Sequence, residues 1–181
     1  MKDSSGDAEM TPDCPAIGTL RNATLADVTA IHAMTQIAYA GYRDRIPYSS
    51  LWRETEADVA QELAAGIIIL CEMEGKLVGS VRCQVRHEVE GASLSAEDPF
   101  VYVHRLAVLP GFQRRGIGRR LMQAVEAFAQ DQGVGWVRLE YRVAQSENQQ
   151  FYDRLGYQTG EVSRWFADGS PRAVWMFRQI P

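Results

Sequence analysis

The sequence has no run of 18 apolar residues, so no membrane-spanning helix is expected. Its first fifteen residues, MKDSSGDAEMTPDCP, lack the apolar core of a signal peptide. Being small, polar and proline-containing, residues 1–15 are expected to form a poorly ordered tail. Cysteine is scarce: Cys14, Cys71 and Cys83 show no CxxC spacing and no even set for a disulfide framework. Cys71 and Cys83 lie in apolar runs and read as buried free thiols in a reducing cytoplasm. The histidines form no cluster with cysteine, so no metal site is expected. His32 and His87 have no partner by spacing and read as structural. Basic residues number 19 against 23 acidic ones, and the net charge of -4 argues against general nucleic-acid binding.

What is present is a chain of 181 residues, 46% apolar and 23% charged, an ordinary soluble composition. Residues 16–181 are enough for one domain with a sizeable core. Thr19–Asn22 reads as a short strand. Thr24, followed three residues later by Asp27, resembles a capping box, and Val28, Ile31, Met34, Ile37 and Ala38 then recur at helical spacing. The segment YRDRIPYSSLW reads as a loop or broken helix. Thr55 caps a second helix, with Val59 and Leu63 apolar, that ends at Gly66. IIILCEM and LVGSVRCQV flank EGK as a hairpin.

After the polar loop EGASLSAEDP, FVYVHRLAVL is a strand apolar enough to be covered on both faces. A helix follows from Ile117, with Leu121, Met122, Val125, Phe128 and Ala129 on one face, ending at Gln132-Gly133. Then come a strand, VGWVRLEYRV, a short helix, SENQQFYDRLG, and a terminal hairpin. The order β-α-α-β-β-β-α-β-α-β-β predicts an α/β fold around one sheet with both hairpins and crossovers. Trp165, Phe166, Trp175 and Phe177 give the last two strands much aromatic surface. Core packing is the default reading of them, and a homodimer across the sheet edge the alternative.

The stretch GFQRRGIGRR packs four arginines and two glycines between Arg114 and Arg120. A dinucleotide fingerprint fails because Leu121 stands at the third glycine position. A Walker loop fails for want of GK followed by Ser or Thr. What remains is a strand, a turn and a helix starting near Gly116, whose first backbone N–H groups are unpaired and open to an anion. Arg114, Arg115 and Arg119 add charge-assisted donors there. Each opposes the helix dipole at about 0.3–1 kcal/mol, so their presence points to an anionic ligand. The alternative is a solvated basic face.

LAVLPGFQRRGIGRRLM resembles the signature of the GNAT superfamily of acyl-CoA-dependent N-acyltransferases, Q/R-x-x-G-x-G/A between a strand and a helix. Gln113, Arg114, Arg115, Gly116, Ile117 and Gly118 fill the six positions. RLEYRVAQSENQQFYDRLGYQTGE resembles the family's second block, with Phe151-Tyr152 and Leu155-Gly156-Tyr157 in order and spacing. The element order agrees from about Gly18 to Arg178. The resemblance implies a GNAT-like mixed sheet of about six or seven strands flanked by about four helices. It also implies a splay between the strands at 100–109 and 135–143.

The resemblance further implies an acetyl-CoA site, with the pyrophosphate on the backbone amides from Gln113 to Gly118 and Arg119 nearby. The pantetheine arm would pair along Leu106, Ala107 and Val108, where a backbone N–H would also meet the oxyanion. Gln145 stands where many relatives have a cofactor-contacting asparagine, a departure that keeps an amide. Tyr152 matches the family's general acid. Glu140 sits where some relatives place a base, with a strand-face ion pair to Arg138 or Arg142 as the alternative. His104 is the rival base, with a satisfied structural histidine as its alternative.

For the acceptor, Tyr42, Tyr48 and Trp52 read as an apolar wall, and Arg43, Arg45 and Arg53 as receivers of a carboxylate. Tyr102, two residues before His104, would line the same cleft. The acidic loop Glu88–Asp98 favours a cationic amine instead, so the acceptor stays open. The implied function is transfer of an acetyl group from acetyl-CoA to a primary amine of a small molecule or peptide. A non-catalytic acyl-CoA-binding module is the alternative, and a nucleic-acid binder using the arginines at 114–120 is a third reading.

Overall fold

The computed structural model describes residues 18–87 and 99–181; the N-terminal tail with Cys14, and the acidic loop Glu88–Asp98, lie outside them. The strands are β1 (Thr19–Asn22), β2 (Ile67–Met73), β3 (Lys76–Arg86), β4 (Phe100–Val108), β5 (Trp136–Arg142), β6 (Gln158–Trp165) and β7 (Pro171–Gln179). The helices are α1 (Val28–Tyr39), α2 (Glu56–Ala65), α3 (Ile117–Asp131) and α4 (Ser146–Asp153). Short 3-10 turns at Ala40–Tyr42 and Ser50–Arg53 make the α1–α2 connection a broken helix.

The sheet order is β1-β2-β3-β4-β5-β7-β6. Every neighbouring pair is antiparallel except β4 and β5. The terminal hairpin therefore folds back, so that β7 pairs with β5 and β6 takes the edge. On that edge Trp165 is 59% exposed.

Local chemistry starts the helices where the sequence predicts. The Asp27 carboxylate accepts from the Thr24 N–H at 2.7 Å, and Asp58 accepts from the Thr55 N–H at 2.8 Å. On one side of the sheet α3 buries Ile117, Leu121, Met122, Val125 and Ala129 against Val101, Val103, Val137, Leu139 and Met176. Cys71 and Cys83 are buried in that core, and burial pushes the Cys83 thiol up to about 12. On the other side Val28 and Ile31 of α1 and Val59 of α2 pack on Ile68 and Leu70. Ile37, expected on the buried stripe of α1, is 57% exposed. It lies six residues past Ile31, about 240° round the helix and off the stripe.

Beneath α1 and α2 the sheet is not wholly apolar. Arg82 on β3 is 1% exposed and reaches Glu54 at 2.9 Å and Glu62 at 2.6 Å. Arg105 on β4 meets Glu54 at 3.0 Å. Burial alone would push the Glu54 carboxyl up, but the two guanidiniums more than reverse this and hold it below its ordinary value. This network anchors the α1–α2 connection to the sheet.

Candidate active site

The site begins where β4 and β5 separate. They pair in parallel only at Val101–Val137, Tyr102–Arg138 and Val103–Leu139. From His104 onward β4 pairs with β3 alone, leaving the edge that faces β5 without a ladder partner. Between the pairs Arg82–His104 and Ser80–Ala107, β4 carries one extra residue. Arg105 there takes φ 52°, the left-handed conformation of a bulged strand. The bulge turns the Leu106 carbonyl to accept from the Tyr39 hydroxyl at 2.8 Å.

Past β4 the chain makes a 3-10 turn at Pro110–Phe112, and the Gln113 side chain donates back to the Val108 carbonyl at 3.1 Å. Arg114 and Gly116 have φ of 60° and 81°, and α3 starts at Ile117. Its first backbone bond runs from Arg120 to Gly116, so the N–H groups of Ile117, Gly118 and Arg119 have no helical carbonyl. Gln113, Arg114, Arg115 and Arg119 are exposed around them. A left-handed glycine, a row of free amides and exposed guanidiniums suit a pyrophosphate. Gly118 serves packing as well: a Cβ there would stand 3.2 Å from the Phe151 ring. Arg120 is turned away and donates to the Gly18 carbonyl.

On α4, Tyr152 is 9% exposed and packs edge-on to Phe151 and Tyr157, with ring centroids at 5.1 and 5.9 Å. Burial, with Tyr39 adding to it, raises its phenol above the ordinary value, so it holds its proton at neutral pH. Gln145, just ahead of α4, is 3% exposed. Its Oε1 accepts from Asn148 at 3.4 Å, while its Nε2 is a buried donor without a partner. That orphan amide is the feature a cofactor contact needs.

Tyr152, Gln145 and Leu106 share a cleft of about 480 Å³ with Tyr102, His104 and Glu140. The structure thus brings Leu106 of the first block to Gln145 and Tyr152 of the second, while Ala107, Val108 and residues 113–119 are not among the residues lining this cleft. Glu140 is ion-paired to Arg164 at 3.2 Å, a partner on β6 and not the expected Arg138 or Arg142. His104 stacks on Tyr102 with centroids 5.4 Å apart. Burial first, then the nearby Arg105, Arg82 and Arg86, pushes its imidazole down to about 3. It is neutral at physiological pH but a weak proton acceptor.

Tyr42 and Arg43 are not among the residues lining the cleft. Arg43 lies over the Trp52 ring at 4.4 Å, and Arg45 is paired to Glu147 at 2.6 Å. From that segment the cleft takes the expected Tyr48 and Arg53, together with Ile46, Ser49 and Ser50. Sequence reasoning missed the role of Arg86, Arg142, Arg164 and Arg172 in the lining. One signal was available: in WVRLEYR, Arg138, Glu140 and Arg142 alternate with buried Val137, Leu139 and Tyr141, marking a polar face.

Among the described residues, no helix is long and apolar enough to cross a membrane, and no group of His, Cys, Asp and Glu could hold a metal ion.

Comparison with known proteins bears on this arrangement. A model of the acetyltransferase (GNAT) family matches residues 31–157. An uncharacterised N-acetyltransferase of Methanocaldococcus jannaschii is 27% identical over 144 residues, 80% of this chain; the match spans only 62% of that relative. An aminoglycoside N(6')-acetyltransferase type 1 of Stenotrophomonas maltophilia is 26% identical over 154 residues, covering 82% of this chain and 91% of its own. The fold is shared with the PaiA N-acetyltransferase of Thermoplasma acidophilum, solved in complex with coenzyme A. Its TM-score is 0.68 at 16% identity, over 89% of this chain and 98% of that one.

Proposed function

The chain belongs to the acetyltransferase (GNAT) family of acyl-CoA-dependent N-acetyltransferases, and from that premise we propose that it moves an acetyl group from acetyl-CoA to a primary amine, with Tyr152 as the leaving-group acid. The observation that carries this reading is the Tyr152 phenol. It is protonated, has no hydrogen-bond partner among the described residues, and lines the cleft at the parting of β4 and β5.

In the proposed reaction the neutral amine attacks the thioester carbonyl, an N–C bond forms, and the C–S bond breaks. Free amides on the open edge of β4 near Leu106–Val108 would meet the oxyanion and pair the donor's arm. The amides from Gln113 to Gly118, Arg114, Arg115 and Arg119 would hold its pyrophosphate, and the Gln145 Nε2 would find its missing acceptor there. Tyr152 gives its proton to the departing thiolate, whose own pKa rises in the same desolvated place.

The amine must first lose a proton, since a group of pKa about 10.4 is neutral in only on the order of one molecule in a thousand at pH 7. Glu140 is our candidate to take it, directly or through water; its side chain is 5% exposed in the cleft wall. His104, whose imidazole burial pushes down, with Glu62 at 3.9 Å, is the weaker candidate of the two. The similarity to an aminoglycoside acetyltransferase supports an amine acceptor without choosing one.

The test is thiol release from acetyl-CoA against amino acids, polyamines, aminoglycosides and peptide N-termini. Tyr152→Phe is expected to lower kcat at least about tenfold while acetyl-CoA affinity stays within a few-fold. An unchanged kcat on an active acceptor would remove Tyr152 from the mechanism.

A further inference from the structure

The wall of the cleft away from the donor loop has an unbalanced chemistry. Arg142 on β5, Arg164 on β6 and Arg172 on β7 all line it, against Glu140 on the same wall. Glu140 is engaged by Arg164 at 3.2 and 3.3 Å. Among the described residues, no carboxylate lies within salt-bridge reach of Arg142 or Arg172. Among the described residues, two guanidiniums therefore stand over one cleft without an ion-pair partner of their own, Glu140 being held by Arg164.

The hydrogen-bond inventory shows the same imbalance. Arg142 Nη1, Arg172 Nε and the Tyr48 hydroxyl are buried and without partners, and all three side chains line this cleft. Buried donors are nearly always satisfied, and leaving one unpaired costs about 1–3 kcal/mol. Arg172 is also held in place: its guanidinium lies 4.3 Å over the Tyr48 ring and 6.0 Å from Phe166, and donates to the Tyr48 carbonyl at 3.4 Å. A fixed, planar guanidinium suits a carboxylate.

We infer that the acceptor is a small amine carrying a carboxylate, which docks on Arg142 and Arg172 with the Tyr48 hydroxyl as a further donor. This rests on the acetyl-transfer reading and names the acceptor class for that same cleft. The cleft of about 480 Å³ is shared with the donor's reacting end, which leaves space on the scale of a small molecule for the acceptor. Burial, with Arg164 and Arg172 adding to it and Glu140 opposing, moves the Arg142 guanidinium below its ordinary value; it stays charged, and a bound anion would oppose that shift. A polycationic amine would meet these charges at close range and is disfavoured.

The experiment compares free α-amino acids and ω-amino carboxylates with their carboxamides, and with O-phosphoethanolamine and spermidine. Two readouts are taken: acetylation rate, and calorimetric binding to the CoA-loaded protein. The wild type is expected to prefer the carboxylate over its carboxamide by at least about 10-fold in kcat/KM. Arg142→Gln and Arg172→Gln are each expected to shrink that ratio to within a few-fold, mainly through KM for the acceptor. KM for acetyl-CoA should stay within a few-fold.

Equal or faster acetylation of carboxamides, spermidine or O-phosphoethanolamine overturns the inference and leaves the proposed reaction standing. Carboxylates that bind, dependent on Arg142, yet are never acetylated uphold the anion site and sink the proposed reaction. A raised acetyl-CoA KM in the variants would assign the arginines to the donor, against the inference. The wild-type comparison needs no variant and decides the matter if either variant fails to fold.

Discussion

The Tyr39 hydroxyl donates to the Leu106 carbonyl at 2.8 Å, tying the last residue of α1 to the bulge of β4. The bond fixes the backbone at the point where β4 loses β5, so the helix layer governs how the open edge is presented.

Tyr39→Phe removes that bond and leaves the packing intact. We expect a stability loss of about 0.5–1.5 kcal/mol. A kcat/KM several-fold lower should accompany it, because the Leu106 peptide is free to turn. Melting and steady-state kinetics on one preparation check this. A lowered Tm with unchanged kinetics would make the bond purely structural.

Removing one member of the buried network should be severe. Arg82 is 1% and Glu54 3% exposed, and Glu54→Gln leaves Arg82 and Arg105 short of a charge. A loss of about 3–5 kcal/mol is expected in urea unfolding. The native Glu54 carboxyl sits below its unfolded value. Its contribution is therefore present above the unfolded pKa and fades as pH falls through the folded one. The Glu54→Gln variant should accordingly lose less stability than the wild type on acidification below about pH 4.3.

Gly116 heads α3 at φ 81°. Gly116→Ala should cost about 1–2 kcal/mol through left-handed strain, and should weaken CoA binding by turning the free amides away. Calorimetric titration with CoA reads the second effect; unaltered affinity would show that the amides do not depend on that turn.

The His104 imidazole, pushed down to about 3, does not titrate near neutrality. The kcat/KM profile between pH 5.5 and 7.5 should therefore lack an inflection from His104, and His104→Gln should leave its shape unaltered. For stability the sign is definite: an unfolded histidine binds a proton near pH 6.5 that the native one refuses until about pH 3, so the native state loses ground as pH falls through that interval. A histidine limb near pH 6.5 that vanishes in His104→Gln would contradict this.

Much of the fold could be read before the structure, for local reasons. Thr24–Asp27 and Thr55–Asp58 start helices because the partners are three residues apart. The stripe from Ile117 to Ala129 is buried because helical period carries it along one face. The donor loop is equally local: its strand end, Gly116 and arginines are contiguous. The acceptor cleft was legible only in part: Tyr48, Arg53 and Tyr102 line it as expected, and Tyr42 and Arg43 do not. Arg45 was a candidate carboxylate receiver and is instead spent on Glu147, 102 residues away. The Glu140 partner, Arg164, lies 24 residues off on a strand not adjacent to β5.

The sequence by itself determined the element order, the capped helix starts, the buried thiols and the amide row at α3, because each depends on residues within a turn or a strand of one another. The tertiary structure alone decided the insertion of β7 between β5 and β6, the neutral state of His104, and the gathering of Arg142, Arg164 and Arg172 around Glu140. These follow from which strands become neighbours and from how much water is left between them, and neither is written in any single stretch of the chain.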